Sequence, residues 1–198
     1  MFLEMIKSIV LGIVEGISEW LPISSTGHMI LVNELINNTE GFTASDLYLY
    51  VIQLGAILAV VTLYFHKLNP FSPKKTNVEK ENTWKMWFKV IIACVPAVVI
   101  GLVLDNFMSA WENWQVVSAM LILYGVAFIV VESLHKETKI ESMDDMTYKT
   151  ALLIGLFQVL SIVPGTSRSG ATILGAMLIG CSRSVAAEFS FFLAIPVM

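Results

Sequence analysis

Apolar residues along this chain come in blocks too long and unbroken for the one-sided face of a soluble helix. Residues 46–65, 87–104 and 115–131 each approach the roughly 20 residues that carry an α-helix across a bilayer. Shorter blocks flank them, broken by polar punctuation. Residues 7–21 read as an apolar helix stopped by Pro22 and the run Ser24-Ser25-Thr26-Gly27, and the next apolar stretch, 28–36, is too short to span. The pattern returns near the other end, with an apolar helix over 149–163 and a break at Pro164-Gly165-Thr166-Ser167-Arg168-Ser169-Gly170. A short apolar stretch then runs to Ile179, and a last apolar segment covers 185–198. The expected class is all-α, a polytopic integral membrane protein forming a single membrane domain over 1–198.

The recurrence is an internal repeat. At a constant offset of 143, Gly12/Gly155, Ser18/Ser161, Ser24/Ser167, Gly27/Gly170, Ile30/Ile173 and Leu31/Leu174 are identical, and Glu15 faces Gln158. A weaker continuation at offset 135 sets Gln53-Leu54 against Glu188-Phe189, so the first copy has a longer connection around residues 37–44. The first repeat covers 1–135 and the second 148–198, which stops before its counterparts of the later spans. By the same arithmetic the second copy would need roughly 70 further residues. Lysines set the orientation. Lys67, Lys74, Lys75, Lys80, Lys85 and Lys89 crowd one loop (67–85 and its edge), while the loop 105–113 has none, so the first is cytoplasmic and the second external. Threading from there, segment 7–36 enters and leaves on the external side and segment 149–179 on the cytoplasmic side. Each is a re-entrant helix–loop–helix, the two related by inverted topology. Irregular backbone at membrane depth is tolerated only against protein or a wet cavity, so the two loops should meet.

Composition agrees with this picture. The chain is 56% hydrophobic and 14% charged with a mean hydropathy of +0.75, against about 45–50% and about 25% in soluble domains. The net charge of −4 resides in short loops and points to no nucleic acid partner. Cys94 and Cys181 fall in apolar segments and read as packing residues, not as disulfide or zinc chemistry. Glu4, Lys7 and Glu15 interrupt the first apolar run and no small-x-small site follows, so that run is expected to stay in the mature protein.

Candidate chemistry lies at the two breaks. Glu15 and Glu19 share a helix face with Ser8, Gly12 and Gly16. Ionised groups at membrane depth cost about 2.5–3.5 kcal/mol or more, which favours metal coordination or general-base work over a solvated surface pair. Ser24, Ser25, Thr26 and His28 follow, more polar groups than a helix cap requires. His28 could serve as acid/base or nucleophile. In the second break, Ser167, Ser169 and Thr172 offer hydroxyls and Arg168 a planar fork suited to phosphate, beside the N-terminus of the next helix. The plainer reading of Arg168 is a structural pair with Glu15 or Glu19.

Glu15-x-x-x-Glu19, the run Leu21-Pro22-Ile23-Ser24-Ser25-Thr26-Gly27-His28 and Pro164-Gly165-Thr166-Ser167-Arg168-Ser169-Gly170-x-Thr172 resemble the two signature motifs of the undecaprenyl-diphosphate phosphatase family (BacA/UppP type). The resemblance implies hydrolysis of undecaprenyl diphosphate to the monophosphate, recycling the carrier for peptidoglycan synthesis and conferring bacitracin resistance. It implies a multi-pass protein of the bacterial plasma membrane with its site facing outward. Glu15, Glu19, Ser25 and His28 would be catalytic, and Ser24, Thr26, Ser167, Arg168, Ser169 and Thr172 would bind substrate. A divalent cation, Mg²⁺ or Ca²⁺, would sit on Glu15 and Glu19. Ser25, His28 and a water activated by His28 remain alternative nucleophiles. The expected partners are a polyprenyl diphosphate lipid and the bilayer, with a homodimer as an available assembly. The competing class is a transporter or flippase for a phosphorylated lipid or anion.

Overall fold

A computed structural model describes residues 2–36, 38, 41–108, 114–134 and 137–198. The described residues are helical, with no sheet and a single isolated bridge between Ile140 and Cys181. In order they form α1 (Phe2–Trp20), α2 (Ser25–Leu35), α3 (Asp46–Leu63), the single turn α4 (Phe65–Leu68) and α5 (Asn77–Met108). Then come α6 (Trp114–Ser133), α7 (Tyr148–Gln158), α8 (Arg168–Ile179) and α9 (Arg183–Val197).

The breaks fall where Pro, Gly and Ser predict them, but three boundaries move. Expected loop 67–85 is largely helical: α4 covers its start, and α5 begins at Asn77, ten residues before the expected span. The cause is a capping box, in which the Thr76 N–H donates to Glu79 Oε2 at 2.7 Å and the Glu79 N–H donates back to Thr76 Oγ1 at 3.3 Å. An i,i+4 pair, Glu81–Lys85 at 2.8 Å, supports the same turn. At its far end α5 stays helical to Met108, so the expected loop 105–113 narrows; residues 109–113 lie outside the described ones, as does His135 at the end of the first repeat. The helix expected over 149–163 ends at Gln158 and tightens into a 3₁₀ turn, Val159–Ile162.

Two helical stretches, Asn77–Leu104 and Gln115–Ser133, are long and apolar enough to cross a membrane. Their apolar side chains face outward: Val98, Val99, Leu102 and Val103 on α5, and Ile122, Leu123, Val126 and Ile129 on α6, are all exposed. A contiguous apolar surface of this extent is foreign to a monomeric soluble protein and natural against lipid tails.

The main core forms around the second half of the chain, from Val90 and Ala93 of α5, Ala151 and Ile154 of α7, Ile173 and Ala176 of α8 and Phe189, Phe192 and Leu193 of α9. A smaller cluster, Leu11, Met29 and Tyr48, joins α1, α2 and α3. α7 lies against α5 at backbone distance: a Cβ built on Gly155 would stand 2.2 Å from the Ala93 carbonyl oxygen. Small residues of this kind let membrane helices approach closely.

The connections near the lysines gather at one end. Asn82 Nδ2 donates to Asp144 Oδ2 at 3.1 Å and the buried Lys89 Nζ to the Met143 carbonyl at 2.8 Å. Lys67 pairs with Glu188 at 2.5 Å, and Arg183 pairs with Glu132, so Arg183 and Glu188 do not pair with each other.

Candidate active site

Each break is built by a serine that caps the next helix. Ser24 Oγ accepts the Gly27 N–H at 3.4 Å at the start of α2, and Ser167 Oγ accepts the Gly170 N–H at 3.1 Å at the start of α8. An N-cap hydroxyl satisfies one of the donors that a helix start leaves free. Upstream of each break a second serine bonds back to its own helix: Ser18 Oγ donates to Val14 O at 2.7 Å, and Ser161 Oγ to Gln158 O at 2.7 Å. Ser24 alone among described non-glycine residues has positive φ, 63°. His28 braces that turn, its Nδ1 lying 2.9 Å from the Ser24 carbonyl. A carbonyl only accepts, so the proton of the neutral ring belongs on Nδ1.

The two breaks touch. A Cβ on Gly170 would stand 3.2 Å from the Pro22 carbonyl oxygen, so α8 starts directly against the first loop. Arg168 Nη2 reaches Glu19 Oε2 at 3.2 Å, both side chains 15% exposed. Ser25 Oγ donates to the other oxygen, Glu19 Oε1. One carboxylate therefore joins a hydroxyl from the first motif to a guanidinium from the second. The bonds Arg168 makes among the described residues use Nη2, which leaves Nε and Nη1 for another anion.

Around this junction opens a cavity of about 330 Å³, bordered by Ser18, Glu19, Ser24, Ser25 and Thr26, and by Ser161, Thr166, Ser167, Arg168 and Ser169. Both helix starts border it, so their free N–H groups and positive dipole ends lie beside the same space. An anion with several oxygens suits such a surface.

Seven of the ten expected site residues border the cavity, and three do not. His28 is turned to the Ser24 carbonyl. Thr172 is 1% exposed, donates to the Arg168 and Ser169 carbonyls at 3.0 and 3.1 Å, and meets Ser190 Oγ at 2.8 Å. Glu15 is 2% exposed, one turn before Glu19, and its Oε1 has no hydrogen-bond partner. Gln158, its counterpart at offset 143, is also fully buried, with both side-chain polar atoms unpartnered. Tyr50 and Gln53 of α3 border the cavity without belonging to either motif. The signal for Gln53 was present, as a lone amide in a helix otherwise suited to lipid.

A polar, anion-suited cavity between two broken helices, beside apolar helices that face outward, is the arrangement of a membrane protein. Residues 8–198 match the family described as bacitracin resistance protein BacA. An undecaprenyl-diphosphatase of Enterococcus faecalis is 59% identical over 201 residues, covering 100% of this chain and 73% of that protein. Those of Limosilactobacillus fermentum and Streptococcus thermophilus are 60% and 57% identical over 199 residues, covering 99% of this chain and 72% and 69% of theirs. The chain belongs to the bacitracin resistance protein BacA family.

Proposed function

We propose that this protein hydrolyses undecaprenyl diphosphate to undecaprenyl phosphate and inorganic phosphate, returning the lipid carrier to peptidoglycan synthesis and conferring bacitracin resistance. The names of its relatives support the substrate and the reaction. The observation that carries the chemistry is the Ser25 hydroxyl donating to Glu19 at the edge of a cavity that Arg168 also borders. A carrier needs to grip an anion but has no use for a hydroxyl with a base behind it.

The terminal phosphate lies against Arg168, Ser167 and Ser169 and the helix starts, which take up charge on its non-bridging oxygens. Ser25 Oγ attacks the terminal phosphorus as Glu19 accepts its proton, and the bond to the bridging oxygen breaks. Undecaprenyl phosphate leaves with that electron pair. Glu19 passes its proton to the departing lipid phosphate; water then attacks the phosphoserine, giving a proton to Glu19, which returns it to Ser25 Oγ as inorganic phosphate departs. Ser25 is our nucleophile because it contacts Glu19 and borders the cavity, two properties His28 lacks. His28 instead holds the strained Ser24 turn from which Ser25 projects. Thr26 and Ser24 complete the first loop's contacts, and Thr172 fixes the backbone of Arg168.

We further propose that the two carboxylates take a divalent cation. Glu15 keeps a buried oxygen unpartnered one turn from Glu19, and hard oxygen donors suit Mg²⁺ or Ca²⁺, which share their shells with substrate phosphate. Such an ion, held by Glu15 and Glu19, would neutralise charge on the diphosphate.

The two breaks, capped alike and bonded alike upstream, support an inverted pair of re-entrant repeats. Contact between the segment around Lys67–Lys89 and residues 141–144 supports one shared cytoplasmic side, with the cavity opening outward from a multi-pass protein in the bacterial plasma membrane. A cysteine at Lys74 should then resist an impermeant reagent added to intact cells; ready labelling would reverse the topology.

The deciding measurement is phosphate release from undecaprenyl diphosphate in mixed micelles, with and without chelator, alongside lipid binding. Wild-type protein should release one phosphate per lipid and lose that activity in chelator. Arg168→Ala should weaken lipid binding well over tenfold, since truncating one side of a buried pair costs about 2–5 kcal/mol. Binding without any release would mark a carrier, and full release in chelator would remove the cation.

A further inference from the structure

Gln53 is out of place in its helix. Between Leu47 and Leu63, α3 carries few polar side chains, and the others have evident uses. Tyr48 OH donates to the Ser8 carbonyl at 2.8 Å, and Thr62 Oγ1 bonds back to Leu58 and Ala59 at 2.9 Å. Tyr50 is 68% exposed at the cavity's rim. Gln53 is half-buried, makes no hydrogen bond among the described residues, and borders the cavity that holds Glu19, Ser25 and Arg168. A primary amide in an apolar membrane helix is costly unless a partner satisfies it. No protein group in the cavity does so.

We propose that Gln53 is a substrate-binding residue, its amide N–H groups donating to phosphoryl oxygens of a polyprenyl diphosphate held opposite Arg168. The proposal deepens the phosphatase reading and rests on it for the identity of the anion. It adds a third wall to the site. The two motifs supply a cation, hydroxyls and helix starts from α1–α2 and α8, all from the two breaks. Gln53 approaches from a continuous helix that neither motif contains. An amide has two donors and no charge. It therefore contributes direction where Arg168 contributes attraction, and it does so without adding a second cation that would hold the product back.

The test uses undecaprenyl diphosphate in mixed micelles and the purified protein, with binding measured in a Ser25→Ala background and turnover in the wild-type background. Gln53→Leu suits the apolar helix, so folding is not at risk. It should raise the half-saturating lipid concentration about tenfold or more, as expected for one hydrogen bond to a charged group. Gln53→Glu keeps the shape and sets a carboxylate against the phosphate, so it should bind more weakly than Gln53→Leu. Wild-type half-saturation in both variants would overturn the proposal, as would a loss confined to the rate at saturating lipid. Failure of the phosphatase reading shows separately, as absent phosphate release by unmodified protein. Weakened lipid binding in Gln53→Leu would still support the contact in that case.

Discussion

The first broken helix pair, α1 and α2, and the second, α7 and α8, have the same serine caps and sit in opposite surroundings. α8 is buried along Ser169–Ala176, and Gly155 of α7 meets the α5 backbone. α1 leaves Ile6, Ile9, Ile13 and Ile17 exposed, and a Cβ on Gly12, the counterpart of Gly155, would meet nothing within 4 Å. The loose pair supplies the carboxylate and the serine proposed as nucleophile; the packed pair supplies the guanidinium. Residues that match between the two breaks therefore need not do matching work. The second pair uses its glycines for close packing, Gly155 against Ala93 and Gly175 against Phe157. The first keeps a helix with an exposed apolar face and a buried Glu15.

The comparison is broken most directly at the two helix starts. Ser25→Ala should cut phosphate release about a thousandfold or more, because it removes the attacking oxygen while leaving Arg168 and the helix starts in place. Ser167→Ala should keep measurable turnover and lose about 1 kcal/mol of stability, the usual cost of a lost N-cap. Steady-state release and thermal unfolding of both variants in one detergent would decide it. Equal effects from the two serines would mean that Ser25 is not the nucleophile.

Glycines sharpen the comparison next. Gly155→Ala forces a methyl group into the Ala93 carbonyl, a backbone clash that no rotamer relieves. Overpacking of this kind costs about 1–3 kcal/mol or more. Gly12→Ala enters open space and should be neutral or stabilising by up to about 1 kcal/mol, since alanine is the better helix former. The readout is the difference between the two unfolding temperatures. If Gly12→Ala were the more damaging, the open face of α1 would have to be a packing surface.

Much of this was legible in the sequence because its signals are local. Pro22, Pro164 and the serine–glycine runs stop apolar helices by their own chemistry, and an arginine at membrane depth implies an anionic partner wherever it lies. That partner proved to be Glu19, with the cavity beside it. The early start of α5 was also written locally, as Thr76 and Glu79 spaced for a capping box, but the lysines around it read more strongly as a loop. Other features depend on what packs alongside. Gly12 and Gly155 are the same letter at matching positions, and only the approach of α5 separates them. Gln53 and Ser190 are polar residues among mostly apolar neighbours, a weak signal because isolated hydroxyls in such helices often bond their own backbone, as Thr62 and Ser133 do.

The smallest effect tests how the packed pair steadies Arg168. Thr172 donates its one proton toward the Arg168 and Ser169 carbonyls, so the Ser190 hydroxyl must be the donor in the 2.8 Å contact between them. Ser190 of α9 thereby holds Thr172 in the rotamer that grips the first turn of α8. Neither hydroxyl borders the 330 Å³ cavity, and both are expected to act through Arg168. Thr172→Val keeps the shape, frees the Arg168 carbonyl and leaves Ser190 without its acceptor; Ser190→Ala removes only the outer link. Losing one neutral hydrogen bond costs about 1 kcal/mol, so each variant should raise KM severalfold while leaving kcat near wild type. Thr172→Ser, which retains the hydroxyl, should restore most of the loss. Because the two residues act in series, the double variant should be little worse than Thr172→Val alone. Additive losses, or a fall in kcat with KM unchanged, would show that Thr172 acts on the reacting phosphate directly and not through the arginine.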